Sequence, residues 1–140
     1  MKHSTIDTHW VLIADEPGMA SAFPQLKEKL AEERLTAITI LYCSGSNQFP
    51  FRRELSLLEW HFPARLCVIY ESFLSDADGS ATVTMEAVKT TIETVINANT
   101  IPLMSFMISG NPEFTAKCKD ILSFLGVQHI DIQEQFFTCQ

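Results

Sequence analysis

Basic residues are scarce in this chain of 140 residues. It contains 10 lysines and arginines against 17 aspartates and glutamates, so its formal net charge at pH 7 is -7. A nucleic acid or an anionic membrane surface requires a basic face on the protein that binds it. The charge balance therefore argues against both as partners.

Long hydrophobic runs are also missing, although hydrophobic residues make up 46% of the chain. No stretch approaches the roughly 20 apolar residues that a membrane-spanning helix needs. The first residues, Met-Lys-His-Ser-Thr, lack the apolar segment of a signal peptide. We therefore expect a globular, cytoplasmic protein in which residues 1–140 form one domain.

Cysteine is infrequent and widely spaced. The chain has no C-x-x-C pair, and its four cysteines are Cys43, Cys67, Cys118 and Cys139. Scattered cysteines in a core-forming chain are more often buried small hydrophobic residues than disulfide partners or zinc ligands. We expect the first of these roles here.

The chain does contain a regular alternation of strand-like and helical patterns. The predicted strands are 9–14, 36–43, 65–71, 103–109 and 129–136. The predicted helices are 20–34, 51–60, 83–98 and 112–125. Such alternation is typical of a three-layer α/β fold, in which helices cover both faces of a five-stranded parallel sheet. Small and acidic residues predict a loop at 72–82.

Ligands of such a fold bind at the carboxyl ends of the strands, near the point where the strand order reverses. Four turns are expected there, at 15–18, 43–47, 71–72 and 109–112. The last suits a ligand best, because Gly110 permits close approach and the following helix offers free N–H groups. A well-capped helix without a ligand is its alternative. The turn at 43–47 is either a phosphate site beside Arg52 and Arg53 or a solvated turn.

The first of these turns differs from that of a typical nucleotide-binding domain. A nucleotide-binding turn is rich in glycine, because its backbone N–H groups must cradle a pyrophosphate. Here the turn reads Asp15-Glu16-Pro17-Gly18. A carboxylate about 4 Å from a phosphate costs roughly 1 kcal/mol in water and about 4 kcal/mol at an effective dielectric constant of about 20. The two acids therefore predict a weakened nucleotide site.

Known catalytic and metal-binding patterns are absent from the sequence. The four histidines are dispersed, without the i, i+4 partner of a helical metal site. The stretch CSGS at 43–46 does not match the G-x-S-x-G nucleophile elbow. A phosphoacceptor receiver domain needs an aspartate after the third strand and a lysine after the fifth. Here the third strand ends in Glu71 and the fifth has no lysine, so we predict no catalytic residue and no metal ligand.

In chain order, the turns resemble the NAD(P)-binding module that forms the C-terminal half of ferredoxin–NADP reductase-like flavoenzymes. The first turn, ADEPGMAS at 14–21, matches A-G-G-T-G-I-T-P, and its acids are similar to the D-E-T of siderophore-interacting reductases. LYC at 41–43 and PFRREL at 50–55 match L-Y-G and F-R-x-E-L. SGNPEF at 109–114 corresponds to C-G-P-P-E-M, and LGVQHIDIQEQF at 125–136 corresponds to LGV with a strand ending in E-x-F.

The resemblance covers nearly the whole chain and implies a Rossmann-like fold that binds NADH or NADPH. The cofactor-binding residues that it implies are Asp15, Glu16, Pro17, Gly18, Cys43, Ser44, Ser109, Gly110, Asn111, Pro112, Glu134 and Phe136. Glu134 and Phe136 would face the flavin, and the module would present the nicotinamide hydride to it. The family's flavin domain, with its R-x-Y-[ST] motif, has no counterpart in these residues. FAD is therefore expected only through a partner domain or subunit.

The departures from the family pattern lie in the cofactor-binding motifs. Asp15, Glu16 and Pro17 replace two glycines and a threonine, and Ser109 replaces the cysteine that faces the nicotinamide. An arginine often found after L-Y-G is replaced by 44–47. These departures favour an alternative hypothesis, a degenerate module that acts as an interaction or regulatory domain without a cofactor. An unrelated α/β domain with convergent turns is the third hypothesis.

Overall fold

A computed structural model describes residues 5–46, 48–72 and 81–136. Strands and helices alternate along the described chain as predicted. The elements are β1 Thr8–Ala14, α1 Glu16–Glu32, β2 Thr36–Ser44, α2 Arg52–His61, β3 Leu66–Ser72, α3 Ala81–Ala98, β4 Leu103–Gly110, α4 Pro112–Phe124 and β5 Ile132–Phe136.

The strands form one parallel sheet in the order β3-β2-β1-β4-β5. The chain runs outward from β1 to β3 and then returns to β4 on the other side of β1. The strand order therefore reverses between β1 and β4, and the carboxyl ends of these two strands flank the switch point. The predicted α/β class with a five-stranded parallel sheet is confirmed.

Successive residues of β1 face opposite helical layers, because side chains alternate along a strand. Trp10 and Leu12 pack in the core beneath α1 and α2, and Val11 and Ile13 pack beneath α3 and α4. Apolar residues of α3 and α4 lie in that second core. Their buried members are Val88, Ile92, Phe114, Cys118 and Leu122.

Two predicted boundaries were wrong. Helix α1 begins at Glu16 rather than at residue 20, because Asp15 caps it and accepts the N–H of Gly18 at 2.8 Å. Strand β5 begins at Ile132 rather than at 129, because His129–Asp131 forms a short 3-10 helix. Of the loop predicted at 72–82, residues 73–80 lie outside the described part, and α3 has already begun at Ala81.

The three described cysteines are free thiols. Cys43 and Cys118 are fully buried, as predicted, whereas Cys67 is exposed because it lies near the start of the edge strand β3. In the described ranges, no cluster of three or more histidine, cysteine, aspartate or glutamate side chains could hold a metal ion. None of the helices described is both long and apolar enough to cross a membrane.

Candidate functional site

The register of β1 and β4 brings the turns at 15–18 and 109–112 together at the switch point. Ala14 is paired with Ser109, and the N–H of Asp15 donates to the Ser109 carbonyl oxygen at 3.2 Å. Helices α1 and α4 begin directly after these strands. Both helix N-termini therefore open onto the same crevice.

The Asp15 side chain joins these two N-termini. Its Oδ1 accepts the N–H of Gly18 at 2.8 Å in α1, and its Oδ2 accepts the N–H of Asn111 at 3.0 Å, just before α4. Asp15 is only 3% exposed. Burial raises the pKa of the Asp15 carboxyl above 3.8, against the lowering effect of the two N–H donors, and the charge of Glu16 adds to the rise.

Gly18 and Gly110 lie where the backbone is approached most closely. A Cβ atom on Gly18 would overlap the carbonyl oxygen of Ser109, so only glycine lets α1 lie this close to β4. A Cβ atom on Gly110 would lie 2.6 Å from the Asp15 carboxyl carbon and from each of its oxygens. In this structure, the group that approaches each predicted glycine is the protein itself.

Ser109, which stands in place of the family's cysteine, is fully buried. Its Oγ donates to the Gly18 carbonyl oxygen at 3.0 Å and lies 3.3 Å from Gln135 Oε1. Ser109 and Gln135 are paired in the β4–β5 register. Sequence reasoning missed Gln135, although it lies between the predicted residues Glu134 and Phe136.

Glu16 links the first turn to the second. Its Oε1 accepts the N–H of Gly45 at 3.2 Å, and its Oε2 accepts the Ser46 hydroxyl at 2.7 Å. The buried Ser44 Oγ accepts the N–H groups of Ser46 and Gln48 at 3.2 Å and 3.1 Å. These contacts hold the predicted phosphate turn against α1, and they occupy two of its donors with a carboxylate.

The side chains of Cys43 and Glu134 are both engaged within the protein. The Cys43 side chain lies in the core beneath α3 and α4, where burial raises the thiol pKa well above 9.0, so only its backbone can meet a ligand. Glu134 forms an ion pair with Lys119 of α4 at 3.2 Å. Phe136 is paired with Gly110 at the end of β5.

The remaining predicted residues are exposed at the rim. Pro17 lies in the first turn of α1, and Asn111 and Pro112 begin α4. Asn111 caps α4 as predicted, because its Oδ1 accepts the N–H of Phe114 at 2.9 Å. The backbone N–H of Asn111 is held by Asp15, so this turn presents fewer free donors than the sequence predicted.

An aromatic cluster at the carboxyl ends of β2 and β3 was not predicted. Tyr42 and Tyr70 are paired in register, and Phe49 packs edge-on against both rings. The guanidinium carbon of Arg52 lies 4.4 Å from the Tyr70 ring centre. The sequence held one signal for this cluster, a tyrosine two residues before the end of each of two neighbouring strands.

A separate groove of about 250 Å³ lies at the opposite, amino ends of the strands. His9, which is nearly buried, forms its floor with Thr39 and Asn99. Its Nε2 lies 2.7 Å from Thr39 Oγ1 and its Nδ1 lies 2.8 Å from Asn99 Oδ1. These polar groups satisfy one another, so His9 has a structural role in this groove.

Neither a protein-family model nor a curated protein matches this sequence. Solved structures are similar at low identity. Ferredoxin-NADP+ reductase from Plasmodium falciparum has a TM-score of 0.70 and 18% identity over 93% of this chain and 53% of its own. The CS-b5R domains of human Ncb5or, in the NAD+ form, have a TM-score of 0.72 and 16% identity over 91% of this chain and 36% of theirs.

A third structure matches this chain nearly end to end. The C-terminal domain of PF1911 hydrogenase from Pyrococcus furiosus has a TM-score of 0.60 and 14% identity, over 96% of this chain and 95% of its own. This chain spans about half the length of the ferredoxin-NADP+ reductase that it matches. Its fold is that of the NAD(P)-binding domains of ferredoxin–NADP reductase-like proteins, as the motifs predicted.

Proposed function

We propose that this chain is the NAD(P)H-binding module of a flavin-dependent oxidoreductase. The observation that carries the proposal is the meeting of Gly18, Ser109 and Gly110 at the switch point of this fold. Sheets of this type bind ligands at that position. The similarity to domains of longer reductases supports a partner domain or subunit that holds the flavin.

The residues of this chain would hold and orient the cofactor. Bound NAD(P)H supplies a hydride to a flavin, and the protein contributes position and electrostatics. The family resemblance implies that the nicotinamide group lies at the turn of Ser109 and Gly110, where Ser109 stands in place of the family's cysteine. The N-terminus of α1 does not fit a pyrophosphate, because the Asp15 carboxylate already holds the N–H of Gly18. We therefore derive no catalytic step from the phosphate position.

A second candidate function is an interaction or regulatory domain without a cofactor. The Asp15 carboxylate favours it, because this group occupies donors at both helix N-termini. In this case the outer surface of the domain would bind a partner protein, and the crevice at the switch point would bind no ligand. The net charge of -7 supports a protein partner over nucleic acid or an anionic membrane.

An NMR titration of isotope-labelled protein separates the two functions. NADH and then NADPH are added, and the backbone amides of Gly18, Ser109 and Gly110 are followed. Saturable shifts at these positions support the module. The amides of His9 and Asn99, at the amino ends of the strands, are the internal control and should not move. Silence at about 1 mM cofactor means binding weaker than about 4 kcal/mol and would contradict the module.

A further inference from the structure

The N-termini of α1 and α4 converge on one buried carboxylate. Each helix carries a partial positive charge at its N-terminus, and anions bind there. The Asp15 carboxylate accepts an N–H from the first turn of α1 and another from the residue that caps α4. In this structure, the anion between the two helices belongs to the chain itself.

The shape of the crevice provides a second, independent observation. The Asp15 carboxyl group lies against the backbone of Gly110. A Cβ atom at position 110 would be only 2.6 Å from each of the three carboxyl atoms, so any side chain there would collide with them. Asp15 is 3% exposed. The carboxylate therefore fills the space between β4 and α1 rather than lying at its edge, and it leaves no room there for a second anion.

The charges around Asp15 do not attract another anion. Glu16 lies next to it, and Glu113 lies in the first turn of α4 in an exposed ion pair with Lys117. Lys119, farther along α4, is paired with Glu134 of β5. Within the described ranges, no ion pair joins Asp15 to a lysine or arginine.

We propose that the Asp15 carboxylate is a built-in anion that takes the place of a ligand phosphate between α1 and α4. The chain therefore excludes phosphate and pyrophosphate from this position. The inference rests on the proposed function in one respect, because that function makes a dinucleotide pyrophosphate the group that Asp15 excludes. The exclusion itself is expected even if the chain binds no dinucleotide. A dinucleotide that does bind must keep its pyrophosphate outside this position or displace Asp15.

Inorganic pyrophosphate is the probe that tests the inference. It is titrated into wild type and Asp15→Ser, and the amides of Gly18 and Asn111 are followed by NMR. Serine still caps α1, but it is neutral and too short to reach the N–H of Asn111. Wild type should show no saturable shift, and Asp15→Ser should bind pyrophosphate on the order of ten- to a hundredfold more tightly.

Glu113→Gln is the matched control. It removes one negative charge from the first turn of α4 without opening the position between the helices. It should stay as silent as wild type. Equal gains in Glu113→Gln and Asp15→Ser would overturn the inference, because net charge alone would then explain the binding.

Two further outcomes contradict the built-in anion. One is pyrophosphate binding to wild type, at Gly18 and Asn111, as tight as that of Asp15→Ser. The other is a folded Asp15→Ser protein that shows no binding. If Asp15→Ser does not fold, Asp15→Gly is the second variant: glycine is still an acceptable N-cap residue, and it removes both the charge and the volume of the carboxylate. Asp15→Gly must then bind pyrophosphate more tightly than wild type.

Failure of the proposed function would look different. If Asp15→Ser binds pyrophosphate but neither it nor wild type binds NADH, the dinucleotide module is refuted and the built-in anion stands. If wild type binds NADH and pyrophosphate alike through Gly18 and Asn111, the module stands and the built-in anion is refuted.

Discussion

Residue 18 lies where α1 comes closest to β4. The carbonyl oxygen of Ser109 occupies the space that a side chain at position 18 would need. Backbone atoms on both sides of the contact belong to regular elements, so neither can move without disturbing hydrogen bonds. Packing alone therefore requires glycine at this position.

Gly18→Ala should destabilise the fold by at least about 2 kcal/mol, because it forces a methyl group into a close-packed contact. Urea unfolding measures the difference. Gly126→Ala is the comparison, since Gly126 has a positive φ of 93° but free space around it. That variant should lose only about 1 kcal/mol. Equal losses would mean that the contact with Ser109 is unimportant.

The charge state of Asp15 should make stability depend on pH. Its pKa is raised in the fold above 3.8, mainly by burial, so the folded chain binds this proton more tightly than the unfolded chain does. The stabilisation from the protonated group is complete below pH 3.8 and is lost as pH rises through the folded pKa. Wild type should therefore lose stability relative to Asp15→Asn over this range.

Urea unfolding of both proteins between about pH 3 and 7 measures the trend. The pH slope of the difference is the readout, because the asparagine also changes the bond to Asn111 by a constant amount. An NMR titration of the Asp15 carboxyl carbon in wild type gives the midpoint directly. A midpoint below 3.8 would show that the two N–H donors outweigh burial.

At the scale of elements, Arg65 ends helix α1 from a distant part of the chain. Its guanidinium donates to the carbonyl oxygens of Leu30 and Glu33 at 3.0 Å and 2.6 Å, and to Thr36 O at 3.0 Å. The last carbonyl groups of a helix have no partner within it and carry partial negative charge. One side chain therefore joins the end of α1 to the start of β2.

Arg65→Met should lower the free energy of unfolding by about 1.5–3 kcal/mol, because charged hydrogen bonds to backbone carbonyl groups, two of them part-buried, are lost. Chemical denaturation provides the measurement. Arg53→Met is the matched control, since Arg53 is exposed on α2, and it should change stability by no more than about 0.5 kcal/mol. A similar small effect of Arg65→Met would mean that water replaces the lost donors.

Element boundaries show where local patterns stop being informative. Asp15 belongs to the preferred N-cap residue types, so the sequence contained a signal for the true start of α1. The prediction missed this signal because residues 15–18 were interpreted as a turn comparable to a glycine-rich one. The 3-10 helix at His129–Asp131 has one apolar residue, Ile130, which also fits a strand pattern. Periodicity alone does not separate the two structures over so short a stretch.

At the scale of the whole molecule, the packed core should protect the thiols unequally. Cys43 and Cys118 are fully buried on the α3 and α4 side, whereas Cys67 is exposed on the edge strand. Burial raises the thiol pKa in each of the three. In a Cys139→Ser background, Ellman's reagent should modify one thiol readily in the folded protein.

The other two thiols should react on the order of a thousandfold more slowly, because they must wait for the core to open. Adding urea should expose all three together. Rapid modification of Cys43 or Cys118 in the folded protein would contradict the close packing of this layer. Cys67→Ser is the control that should remove the rapid reaction alone.

The sequence alone determined the alternation of strands and helices, the parallel class of the sheet and the order of the four motifs. These properties depend on local hydrophobic periodicity and on residue types in short turns, which can be found without knowledge of distant contacts. The capping role of Asn111 belongs to the same class, since its partner Phe114 is three residues away.

Only the tertiary structure decided what the two acids of the first turn do. Asp15 and Asn111 are 96 positions apart, and Glu16 and Ser46 are 30 apart. Their contacts exist because β1 lies between β2 and β4 in register. The residue types showed that two acids stand in a turn that is rich in glycine in nucleotide-binding domains. They did not show the partners of these acids, because a side chain's partner depends on which strands pair. The register placed the Asp15 carboxylate in the position where this fold can receive an anion.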